Sequence, residues 1–159
     1  MNNTPQVKAP WLKSKDPEVP AALTYSELSM CSRVEEMVRR YPDYIAYEFM
    51  GKCTTYAEMW KKINACAKSL KAIGIREGDK VTICMPNAPQ TLCMFYAVNM
   101  VGAIANMVHP LSAESEIAFY LRDSGSVAAI TLDQFYNKFE SVRKAVDLSL
   151  IHISEPTRP

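Results

Sequence analysis

Glycine is scarce in this 159-residue chain, and the five present, Gly51, Gly74, Gly78, Gly102 and Gly125, stand alone. A nucleotide phosphate is held at close range by successive backbone N–H groups, which normally requires a glycine-rich loop at a helix start. Neither GxGxxG nor GxxxxGK[ST] occurs, so no phosphate cradle is expected within these residues. Histidine is scarcer still: His109 is the only one before residue 150, and His152 follows. A catalytic triad or a histidine-based zinc site has little to build from, and there is no nucleophile-elbow pattern. The five cysteines, at 31, 53, 66, 84 and 93, are odd in number, irregularly spaced and without a CxxC pair, which excludes zinc-finger and disulfide-framework classes. Cys66 and Cys93 lie in apolar helical patterns and read as small core hydrophobes.

Charge of one sign is missing too. Lysine plus arginine (18) nearly cancels aspartate plus glutamate (17), and a net charge of +1 gives no electrostatic reason to expect nucleic acid or an anionic membrane as partner. The stretch from Met1 to Ala22 carries Pro5, Pro10, Pro17 and Pro20 among scattered charges and has no apolar h-region. It reads as a flexible or polyproline-like lead-in, neither signal peptide nor membrane anchor, and the expected compartment is the cytoplasm.

What is present is ordinary globular material, 48% hydrophobic and 22% charged, in a length suited to one domain of about 150 residues. Leu28, Cys31, Val34, Val38 and Tyr41 recur at helical spacing, with Pro42 closing the run. Ile45 to Phe49 and Cys53 to Thr55 flank Met50-Gly51-Lys52, which predicts a hairpin. Thr55 and Glu58 form a capping box ahead of an apolar face, Tyr56, Met59, Trp60, Ile63, Ala67 and Leu70, and Gly74 ends that helix. Strands are expected at Lys80 to Met85, Ile104 to Val108 and Val127 to Leu132. Helices should follow them: to about Val101, opened by Asn87 and Pro89; from Ala113 to Asp123, capped by Ser112; and from Gln134 to about Val146, capped by Asp133. Repeated strand-helix units with short turns imply right-handed crossovers and a mainly parallel sheet, an α/β fold.

In such sheets ligands bind beyond the carboxyl ends of the strands, which here means Pro86-Asn87, His109-Pro110 and Asp133. Asn87 and Asp133 are accounted for by capping, and a lone turn histidine such as His109 is more often structural than a substrate contact.

Three stretches carry a family resemblance: Tyr41-Pro42-Asp43-Tyr44-Ile45-Ala46 followed by Thr55-Tyr56-Ala57-Glu58; Gly74-Ile75-Arg76-Glu77-Gly78-Asp79-Lys80-Val81; and Met85-Pro86-Asn87-Ala88-Pro89-Gln90. With Gly102-Ala103 and Leu121-Arg122-Asp123-Ser124-Gly125 they cover roughly residues 24 to 146. In order and spacing they resemble the N-terminal region of the adenylate-forming (AMP-binding) synthetases. The Pro-Asn-x-Pro-Gln wording resembles the fatty-acyl-CoA ligase branch more than the amino-acid-activating branch. The resemblance implies the N-terminal subdomain of that fold, a partial three-layer sandwich. It also implies a parent enzyme that joins a medium- or long-chain fatty acid to coenzyme A with ATP and Mg²⁺, releasing AMP and pyrophosphate. Fatty acid, ATP and CoA would act through parts beyond these residues, because the family's Ser/Thr/Gly-rich phosphate loop, Tyr-x-x-Thr-Glu stretch, ribose-binding aspartate and C-terminal lysine have no counterpart here. No catalytic, cofactor-binding or metal-binding residue is therefore assigned. Where relatives often carry Asn-Pro after the third strand, this chain has His109-Pro110.

The last twelve residues, Leu148 to Pro159, resemble through Arg158 the translation of a transposase adapter used in preparing DNA libraries. The competing reading is a strand using Leu148, Leu150 and Ile153. On the adapter reading His152 is no ligand candidate. The expected division is a proline-rich lead-in (1–23), a truncated synthetase domain (24–147) and an adapter-derived tail (148–159). The fragment is expected to be inactive alone and to self-associate through apolar surface. The alternatives are a catalytically dead α/β binding or scaffolding module and, disfavoured by the missing phosphate turn, an unrelated Rossmann-like nucleotide binder.

Overall fold

A computed structural model of the chain describes residues 9–20, 22–23, 25–146 and 150–154. The expected lead-in falls partly outside these residues. Within them it is not uniformly extended, since Pro10–Ser14 makes one 3-10 turn with proline in its first positions. Helix α1, Met30–Arg40, begins where the Ser29 hydroxyl accepts the Ser32 amide, so Leu28 lies outside it. Its last turn carries Arg39 and Arg40, cations suited to the negative end of the helix dipole. Strands β1, Ile45–Phe49, and β2, Lys52–Thr55, form the antiparallel hairpin. Both residues of its turn, Met50 (φ 50°) and Gly51 (φ 77°), are left-handed, the conformation that matches strand twist in a two-residue loop.

Helix α2, Tyr56–Ala72, starts from the reciprocal Thr55–Glu58 box and stops ahead of Gly74, whose φ of 98° a side chain would disfavour. Then come β3 (Lys80–Cys84), α3 (Pro89–Val101), β4 (Ile104–Met107), α4 (Glu114–Ser124), β5 (Ala128–Leu132), α5 (Tyr136–Ala145) and β6 (Leu150–Ser154). The four later strands form one parallel sheet in the order β4-β3-β5-β6. The α/β expectation holds.

Alternation along the strands divides the core. Val81, Ile83 and Met85 of the β3 segment, with Ala128, Ile130 and Leu132 of β5, pack against α2 and α3. Cys84 and Ala129 point the other way, onto Ile117, Leu121, Phe139 and Val142 of α4 and α5. Burial on both faces is why β3 and β5 read as nearly continuous apolar runs. The chain passes from β3 to β4 with α3 on the first face, then returns past β3 to β5 with α4 on the second. Reversing direction while keeping right-handed crossovers requires that change of face.

Three capping expectations are corrected. Ala88, not Asn87, precedes α3, because the Pro89 ring holds the residue before it extended (φ −142°, ψ 161°) and so sets the boundary. Ala113, not Ser112, is the N-cap of α4, and the cap is closed from inside the helix by the Glu116 carboxylate accepting the Ala113 amide at 2.9 Å. Asp133 opens a separate 3-10 turn, Asp133–Phe135, where its carboxylate accepts the Gln134 amide at 2.8 Å, so α5 starts only at Tyr136. The Leu150–Ser154 backbone pairs with β5, the conformation of the strand reading. That pairing does not bear on where its codons came from; residues 147–149 and 155–159 lie outside the described residues.

Candidate carboxyl-edge site

Because β3 sends its chain to one face and β5 to the other, the connections diverge between these two strands, and the crevice beyond their carboxyl ends is the place where open α/β sheets take ligands. It is flanked by Pro86-Asn87 and by Asp133, two of the three expected positions. His109 follows β4, on the other side of β3, so the fold does not bring all three together around one point.

Each edge segment is held by a short polar tie. The Thr91 hydroxyl, one turn into α3, donates to the Pro86 carbonyl at 2.5 Å. Under β5 the buried Thr131 hydroxyl donates to the Cys84 carbonyl at 3.0 Å, joining β5 to β3 at the crevice floor. Asn87 is exposed, and its amide makes no hydrogen bond among the described residues. His109 is exposed as well; its Nδ1 accepts the Leu111 amide at 3.3 Å, which leaves Nε2 as the proton-bearing nitrogen of the neutral ring. The His109–Ser112 turn is pinned from α5 by Lys138, whose ammonium donates to the carbonyls of Pro110 (3.2 Å) and Ser112 (2.7 Å). That cation is spent on backbone and is not offered to a ligand.

Among the described residues the edge does not form a triphosphate cradle. All five glycines have positive φ, but Gly74, Gly78, Gly102 and Gly125 lie in the turns leading into strands, at the opposite edge, and Gly51 is in the hairpin. Helix α3, which opens at the crevice, has proline in its first turn and so lacks an N–H that an anion would need. No group of three His, Cys, Asp or Glu side chains converges as a metal site among the described residues. The residues present therefore do not fit ATP-phosphate or Mg²⁺ binding by themselves.

Four of the five thiols are held away from nucleophilic form by burial. Burial pushes Cys84 and Cys93 up to about 11, and it raises Cys31 and Cys66 as well. Cys93 is buried as the helical pattern implied, whereas Cys66 is only half-buried.

Sequence reasoning missed a polar cluster beneath α4. The Asn106 amide on β4 donates to the Thr82 hydroxyl of β3 (2.9 Å) and to Ser124 (3.1 Å), and Ser126 lies within hydrogen-bond distance of both hydroxyls. A threonine and an asparagine inside apolar strands were the available signal. Two open cavities lie on the α3 side. An apolar one of about 360 Å³ lies among Val34, Met37, Met59, Leu92 and Tyr96, and one of about 310 Å³ lies by Cys31, Asn64 and Asn99. No helix among the described residues is long and apolar enough to cross a membrane.

The family model for AMP-binding enzymes matches residues 34–157, a span that includes most of the adapter-like tail. A long-chain-fatty-acid–CoA ligase from Bacillus subtilis is 32% identical over 133 residues, 84% of this chain and 24% of that protein. FadD13, a long-chain-fatty-acid–CoA ligase from Mycobacterium tuberculosis, is 42% identical over 76 residues, 48% of this chain and 15% of that protein. The solved M. tuberculosis fatty acyl CoA synthetase superimposes with a TM-score of 0.73 at 28% identity, over 78% of this chain and 26% of that one. The FadD1 ligase from Archaeoglobus fulgidus gives a TM-score of 0.77 at 18% identity, a likeness of fold, over 84% of this chain and 28% of that one. The chain thus spans between 15% and 28% of the length of these relatives it matches.

Proposed function

This chain belongs to the AMP-binding enzyme family, and we propose that it is the N-terminal part of an ATP-dependent acyl-CoA ligase acting on medium- or long-chain fatty acids. The observation that carries the reading is the colinear 133-residue likeness to a long-chain-fatty-acid–CoA ligase. In the whole enzyme a fatty carboxylate would attack the α-phosphorus of ATP, releasing pyrophosphate, and the CoA thiol would then displace AMP from the acyl-adenylate. Both are displacements in which the protein chiefly positions and stabilises charge. The part assigned to these residues is a rigid sheet with its carboxyl edge held in place by Thr91, Thr131 and Lys138.

A second reading, a non-catalytic α/β binding or scaffolding module, is favoured by the absence of a phosphate cradle and of an acid–base pair among the described residues. The gene separates the two. A reading frame that continues beyond Asp147 into a glycine-rich phosphate loop supports the ligase, and a native stop codon there supports the module. The same sequencing tests the division we propose, lead-in 1–23, synthetase domain 24–147 and adapter-derived tail 148–159. Cytoplasmic placement is supported by five cysteines that are all unpaired. The biochemical test is a chimera in which residues 34–146 replace the corresponding segment of the M. tuberculosis fatty acyl CoA synthetase. Fatty-acid-dependent ATP/pyrophosphate exchange should survive the swap, and a folded but silent chimera would count against the proposal.

A further inference from the structure

Strand β4 ends the four-stranded sheet, and no strand pairs with its outer side among the described residues. The Ile104 amide donates to the Asp79 carbonyl (2.7 Å) and the Val108 amide to the Ile83 carbonyl (3.0 Å), so the even-numbered residues face β3. The pleat therefore turns the N–H and C=O groups of Ala105 and Met107 outward, away from the sheet. Natural edges are usually blunted by lysine, proline, a bulge or a charge. Ile104–Met107 has none of these, and Ile104 and Met107 are 53% and 50% exposed.

We propose that this edge is a self-association surface on which a second copy of the chain adds its own β4, antiparallel, about a two-fold axis through Asn106. Facing residues in such a pair must share a face of the sheet, which restricts the register to even opposite even and odd opposite odd. A two-fold through Asn106 sets Ala105 opposite Met107 of the second copy, and Met107 opposite its Ala105. Both are outward-facing pairs, so together they exchange four N–H···O=C bonds, and each small Ala105 receives a long methionine. The neighbouring register, centred on Ala105, gains nothing over this, because the Ala103 amide it needs is already given to the Val98 carbonyl (3.1 Å), and it sets alanine opposite alanine.

Charge also permits an identical partner. The strand has no ionisable residue to repel its copy. The Glu77 side chain packs beside Gly102 at one end, His109 stands at the other, and the two-fold brings the acidic end of each copy to the imidazole end of the next. Four bonds and two side-chain pairs make an interface well below the ~1,200 Å² of stable complexes, so the association is a concentration-dependent equilibrium. It is independent of the enzymatic reading above.

The test is sedimentation velocity together with residue-resolved amide exchange on the purified chain, from low micromolar to near-millimolar concentration. The mass should rise from 17.9 kDa towards twice that value. Exchange at Ala105 and Met107 should slow at least tenfold with concentration, while the Asn106 amide, which faces β3, stays protected throughout. Ala105→Pro removes an outward donor without touching a bond to β3, and Met107→Lys places a charge on the edge. Each should weaken association at least tenfold with native circular dichroism retained. A monomer at every concentration overturns the proposal. So does association that persists in both variants while the amides of residues 105 and 107 exchange freely, which would put the surface elsewhere, for instance on the exposed Phe119–Tyr120 pair of α4.

Discussion

Cys84 shows how the environment of one residue becomes a property of the whole fold. The thiol is fully buried between β3 and the α4–α5 layer, and burial raises it from 9.0 to about 11. In that interval the unfolded chain has released the proton and the native chain still holds it, so stability falls as pH rises from 9.0 towards about 11. Cys84→Ala should flatten that part of the curve, as measured by urea unfolding at a series of pH values, relative to the same series for the wild type. That the cysteines are packing residues was legible from their spacing. Which of them is fully enclosed was not: Cys66 and Cys93 both lie in helices and both meet the same core, yet Cys93 is buried within it while Cys66 packs only partly against it. The capping corrections have the same origin. Asn87, Ser112 and Asp133 are good cap types, but Pro89, Glu116 and a 3-10 turn settled each boundary one or two residues further on.

At the scale of elements, the local code was strongest where both partners of an interaction lie within one turn. The Thr55–Glu58 box is reciprocal, with the Thr55 amide reaching the Glu58 carboxylate at 3.0 Å and the Glu58 amide reaching the Thr55 hydroxyl at 3.3 Å. Thr55→Ala should cost about 1 kcal/mol of stability by removing one of the two bonds, read as a lower urea midpoint with an unchanged slope. Thr55→Ser should restore most of it. Elements joined by distant partners were opaque for the complementary reason. The Thr82–Asn106–Ser124–Ser126 cluster links residues as far as 44 positions apart, so nothing within one turn announces it. Helix α3, apolar nearly all round, did announce its need for protein on several sides, and it packs against α2, β3 and β4.

At the scale of the whole molecule, the carboxyl edge has no positive-φ glycine and no converging metal-ligand group among the described residues. If function resides in the longer protein, the 159-residue chain alone should show no fatty-acid-dependent ATP/pyrophosphate exchange above a no-enzyme control, even at high protein concentration. Turnover above that control would reverse the assignment of the phosphate-binding and acid–base groups to other parts of the enzyme. The physical ground is specific. The positive-φ glycines lie in the hairpin and at the opposite edge of the sheet, proline occupies the start of α3, and the Lys138 ammonium is committed to two carbonyls.

Periodicity, turn residues and the alternation of strand with helix are local quantities, so the sequence by itself determined the α/β class, the parallel sense of the sheet and the approximate extent of each element. The strand order β4-β3-β5-β6 was decided only by the tertiary structure. Strand order follows from which apolar faces pack together across the fold, and identical local patterns are compatible with several orders. That order in turn set apart the crevice between β3 and β5 from the turn that carries His109, and it left β4 as an open edge.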